Sequence, residues 1–206
     1  MNGIASGYYR LCVSITKFAY LNLLWVGFAL LGLIVFGFMP ATVAMFAVVR
    51  KWIIGEKDID IFRSFWKSYK SEFVKSNIIG ISMLLIGYLL SIEFQILRSQ
   101  ESLAYFIASY GVIALFLIYI IILLYIFPLF VHFNLKIGQY VKWSFVIGMV
   151  HPILTIFLLV IISISIYLSL KFFPAFLFFF GGSVIAYVVM WGTAKTFPKY
   201  EKASEI

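Results

Sequence analysis

From Phe18 to Val49 the chain carries no Asp, Glu, Lys or Arg. One helix needs only about 20 residues to cross a bilayer, so this run is too long for a single span unless it is broken. The chain around it is 64% hydrophobic and 12% charged. A soluble domain carries about 25% charged residues, because a water-facing surface must be covered with something polar. The chain is therefore read as an all-α integral membrane helix bundle. Four more uncharged stretches, 76–92, 102–131, 143–170 and 172–194, supply the remaining spans.

Gly37-Phe38-Met39-Pro40-Ala41 is the place to break the long run. Proline removes a backbone donor and clashes with the preceding turn, so it suits the start of a new helix, and Gly37 relaxes the turn before it. The helix break is assigned to Gly37 and Pro40, giving a span at 18–38 and a short helix at 40–54. At 1.5 Å per residue the short helix is about 22 Å long, less than a hydrocarbon core of about 30 Å. It is read as crossing, re-entrant or interfacial, and its shortness favours the last two. The other spans are set at 76–94, 104–131, 145–170 and 174–194, with a polar tail at 195–206. The whole of 1–206 is one membrane domain of five full spans plus the short helix. Pro128 and Pro152 are expected to kink their spans. Gly181-Gly182-Ser183 is read as a packing or flexible point. Ala104, Ala108 and Gly111 offer a small-residue face for close helix approach.

The net charge of +8 suggests nucleic acid only if the chain is soluble. In a membrane protein, Lys and Arg gather on the cytoplasmic side. With both termini inside, fourteen of the 16 basic residues fall on that side, leaving only Arg98 and Lys171 outside. The carboxyl terminus and the loop 50–76 are thus expected in the cytoplasm of a bacterial cell, and no nucleic-acid partner is expected. Cys12 is the only cysteine, so no intrachain disulfide forms. No small-residue cleavage site follows the first apolar run, so that span is expected to stay.

Within 60–75, Phe62, Phe65, Trp66, Tyr69 and Phe73 recur at i, i+3, i+4, i+7 and i+11, one face of a helix. Arg63, Lys67 and Lys70 occupy the remainder, and Asp58 or Asp60 can cap the start. Such a basic amphipathic helix is expected to lie in the cytoplasmic membrane interface with its rings down. The same eight side chains also suit a protein partner, with rings filling a groove and cations setting orientation.

No catalytic motif is present: no Gly-rich phosphate loop, no H-E-x-x-H, no Gly-x-Ser-x-Gly, no cysteine pair. The span interiors hold no Asp, Glu, Lys or Arg, which weighs against proton- or ion-coupled transport. The chain is read as a non-enzyme, with no cofactor and no metal. Asn22 and His151 are read as polar groups bonding between helices, since one isolated histidine makes neither a relay nor a metal site. His132 falls near a cytoplasmic span end.

Leu21-Asn22-Leu23-Leu24-Trp25, Phe38-Met39-Pro40-Ala41-Thr42 running on to Arg50-Lys51-Trp52, Phe65-Trp66-Lys67-Ser68-Tyr69 running on to Ser76-Asn77, and Phe127-Pro128-Leu129 resemble the YesL family of small bacterial multi-pass membrane proteins. The resemblance extends over nearly the whole chain and is most specific from Asn22 to Asn77. It implies a protein often encoded beside carbohydrate ABC importers and sensor kinases, and it carries over no catalytic residue. The function expected is a non-catalytic membrane accessory of carbohydrate import or sensing. Its partners would be the lipid bilayer and importer subunits or a membrane sensor kinase. The alternative is a small transporter or channel for a neutral or amphiphilic solute, because broken helices often line binding sites.

Overall fold

In a computed structural model, residues 3–56 and 58–197 are described, and among them there are helices and no strand. The elements are α1 (Gly3–Leu31), α2 (Phe38–Ile53), α3 (Ile61–Ser71), α4 (Phe73–Arg98), α5 (Leu103–His132), α6 (Ile137–Val150), α7 (Pro152–Phe172) and α8 (Pro174–Ala194). A π-helical turn, Leu177–Gly181, lies inside α8. Helices α1 (from Gly7), α4, α5, α7 and α8 are long and apolar enough to cross a membrane. The molecule is an all-α membrane bundle.

The centre is α2, which packs against α1, α3, α4, α5 and α8. Ala41, Val43, Ala44, Met45, Phe46, Val48 and Val49 are all buried. Small and β-branched residues on every side of α2 allow several helices to approach it at once. At 16 residues it falls short of a full span, like the short helix expected from the sequence.

Three boundaries differ from the sequence reading. The first span is not 18–38: α1 starts before residue 18, at Gly3, and ends at Leu31, and 32–37 form a turn. A Cβ on Gly32 would overlap the Gly37 backbone, and one on Gly37 would overlap the Phe28 and Ala29 carbonyls. That close approach demands glycine at both positions. Leu33 and Ile34 complete the turn in the left-handed region, at φ 55° and 64°, which costs about 1–2 kcal/mol for each non-glycine residue. Pro40 sits in the first turn of α2, where a missing N–H has no intrahelical acceptor to lose.

The second difference is the span placed at 145–170. It is two helices, because Pro152 lacks an N–H and disfavours helical geometry at His151, whose φ and ψ are −119° and 60°. The third is the helix placed at 60–75, which stops at Ser71. Glu72 leaves helical geometry and α4 starts at Phe73. Helix α5 continues through Pro128. The tail expected at 195–206 lies outside the described residues beyond Phe197.

Candidate functional site on the outer face of α3

Helix α3 does not lie on the membrane surface with all its rings turned away from the protein. Asp60 caps it, its Oδ1 accepting the Arg63 backbone N–H at 3.0 Å. From there the helix runs against Phe28 of α1. The Phe28 ring meets Tyr69 at 5.1 Å, Phe65 at 5.3 Å and Trp66 at 5.4 Å between centroids, in tilted arrangements. Such pairs are worth about 0.5–1.5 kcal/mol each beyond their buried area. The Tyr69 hydroxyl donates to the Phe28 carbonyl at 3.4 Å, and burial pushes the Tyr69 phenol above its ordinary range. Phe73 meets Tyr69 edge-on at 5.6 Å.

The eight residues expected to act together are thus divided. Phe65 is 0% exposed and Tyr69 8%, so both are spent inside the chain, with partly buried Phe73 beside them. Phe62 is 47% exposed and Trp66 39%. Arg63, Lys67 and Lys70 are exposed around them. Lys70 Nζ lies 4.9 Å from the Trp66 ring centre, and Arg63 Nε is 3.9 Å from Asp60 Oδ2. Phe28, Leu31, Phe62, Trp66 and Tyr69 line an open apolar hollow of about 320 Å³. This face carries apolar rings at its centre and cations at its margin. Phe28 is the residue sequence reasoning missed. It sits unmarked in an apolar run, and only the need of a five-ring face for a partner pointed to it.

The polar residues have structural partners. Asn22 Nδ2 donates to the Phe178 carbonyl at 2.6 Å, and its Oδ1 accepts the Ser183 N–H at 2.9 Å. Phe178 lies in the π-helical turn, where the i→i+4 ladder is interrupted, and Ser183 lies two residues beyond its end. Asn22 therefore supplies what the irregular backbone lacks. Gly182 lets it approach, since a Cβ there would stand 3.0 Å from Asn22 Oδ1. His151 occupies the α6–α7 junction, where its carbonyl accepts from Thr155. Among the described residues no group of three His, Cys, Asp or Glu could hold a metal ion.

Three curated proteins of Bacillus subtilis (strain 168) are similar over most of their length. The uncharacterized protein YteU is 38% identical over 88% of this chain and 81% of its own. The uncharacterized protein YesV is 34% identical over 96% of this chain and 95% of its own. The uncharacterized protein YesL is 31% identical over 100% of this chain and 96% of its own. A family model described as a protein of unknown function, DUF624, matches residues 18–94. The chain belongs to the DUF624 family. The part matched by the DUF624 model holds Phe28, the Gly32–Gly37 turn, all of α2 and α3 and most of α4. No solved structure matches the chain.

Proposed function

We propose that this protein is a non-catalytic membrane accessory that docks a partner through the outer face of α3. The observation that supports it most is the division of the rings. Phe65 and Tyr69 lock the helix to α1, so Phe62, Trp66, Arg63, Lys67 and Lys70 are presented on a fixed surface. A helix that only floats in the interface needs no internal lock, whereas a docking surface gains from being held in one geometry. Aromatic residues with Arg among them are what interface centres favour. The partner proposed, from the family resemblance, is a subunit of a carbohydrate ABC importer or a membrane sensor kinase, met from the cytoplasmic side.

The second reading, a transporter for a neutral or amphiphilic solute, draws on the π-helical turn in α8. Asn22 already occupies the backbone groups that this turn releases, which favours a packing role for it. Photo-crosslinking side chains at Phe62 and Trp66 in cells test the docking reading. Adducts with an importer subunit or kinase encoded nearby support it, and adducts with lipid alone overturn it.

A further inference from the structure

We propose that the cleft between α2, α3 and α5 binds a phosphate group on a ligand that also carries a hydroxyl or ammonium donor. The cleft encloses about 220 Å³. Val43, Ala47, Arg50 and Lys51 of α2 line it, the two charged residues two turns beyond Val43 on the same face. Ser68, Ser71 and Glu72 at the end of α3 form one wall, spaced i, i+3, i+4, and Phe130 of α5 stands opposite.

The charged groups are positioned without cancelling one another. Arg50 donates its Nε–H to His132 Nδ1 at 3.3 Å, which fixes the guanidinium and leaves its terminal N–H groups for a ligand. Lys51 Nζ bonds Ser64 Oγ at 3.2 Å and keeps donors in reserve. Among the described residues, Glu72 forms no ion pair with Arg50 or Lys51. Lys75, one turn beyond Glu72, is drawn off to the Tyr140 hydroxyl at 3.1 Å and Asn134 Oδ1 at 3.3 Å, with its ammonium over the Phe130 ring.

Opposite charges that line one confined space without pairing carry a desolvation cost that a ligand can relieve. A guanidinium beside an ammonium is phosphate chemistry. The carboxylate repels a bare anion but accepts from a hydroxyl or ammonium next to the phosphate. Two sources share that chemistry: a free phosphate ester, or the headgroup of a membrane lipid such as phosphatidylethanolamine, since basic pockets between helices hold headgroups. The site lies on the α2-facing side of α3 and does not rest on the docking face.

The full-length protein in nanodiscs of phosphatidylcholine is titrated with glycerol 3-phosphate and with inorganic phosphate by calorimetry. In parallel, native mass spectrometry measures retention of phosphatidylethanolamine over phosphatidylcholine. A saturable soluble titration identifies the free ester, and selective retention identifies the headgroup. In the positive arm, Arg50→Gln with Lys51→Gln is expected to weaken binding at least tenfold. Lys67→Gln with Lys70→Gln, the same loss of charge outside the cleft, leaves it within about twofold, as expected where contact rather than overall field dominates. Glu72→Gln should weaken the donor-bearing ligand and strengthen inorganic phosphate. Absence of binding in both arms, or equal loss in the Lys67/Lys70 variant, overturns the proposal. Should the Arg50/Lys51 variant fail to fold, Ser71→Cys in a Cys12→Ser background gives an independent reading. Glycerol 3-phosphate, or phosphatidylethanolamine in place of phosphatidylcholine in the nanodisc, should slow its modification by a small soluble thiol reagent, and an unchanged rate with both overturns the site.

Discussion

Two regions of this molecule have nearly the same composition and opposite fates. Around α2, apolar side chains are enclosed on all sides. In the far halves of α4 and α5, apolar side chains such as Leu85, Leu89, Ile107, Tyr110 and Leu117 face outward, with Ser109 and Val112 buried as exceptions. In lipid, apolarity alone cannot bring helices together, because the solvent is as apolar as the side chains. What separates the regions is the opportunity for close approach. Met39 fits over Gly80, the Gly32 and Gly37 backbones touch, and Asn77 Nδ2 reaches the Phe36 carbonyl at 3.0 Å. The small-residue face at Ala104, Ala108 and Gly111 meets no such neighbour: a Cβ on Gly111 would touch nothing.

If that contrast is right, the effects of substitution should fall in a definite order. Gly32→Val should be the most severe, because its side chain meets backbone that cannot move aside. A loss of more than about 3 kcal/mol is expected, read as failure to purify as a monodisperse species. Phe65→Ala empties the ring cluster on Phe28, and about 3 kcal/mol should be lost, visible as a lowered melting temperature in detergent. Asn22→Leu removes the bonds to Phe178, in the π-helical turn, and to Ser183, just past it, and should cost about 1 kcal/mol. Hydrogen exchange at 178–183 should rise with it. Leu89→Ala on the outward arm should change stability by less than about 0.5 kcal/mol. A Leu89→Ala loss as large as that of Phe65→Ala would erase the distinction between the two regions.

The sequence made the class, the apolar segments and the short second helix readable, because absence of charge over long runs reports directly on the surrounding medium. Pro152 was visible too, but only as a kink. Whether a proline bends a helix or ends it depends on the geometry the preceding residue can reach, which His151 settles. The ring periodicity of α3 was legible, yet not its target. Periodicity tells which side is apolar and is silent on whether protein or lipid covers it. Phe28 and the Gly32 backbone decided that for Phe65 and Tyr69. The Arg50–Glu72 cleft was hidden for a similar reason: its two walls lie on separate helices, and each alone reads as a solvated charge.

The packing of α3 onto α1 is tested most directly by a small diazirine side chain placed at position 65 or 69 and activated in native membranes. Adducts within the same chain, on the α1 peptide that contains Phe28, are the result expected. Adducts formed mainly with lipid acyl chains would contradict it and return α3 to the bilayer surface.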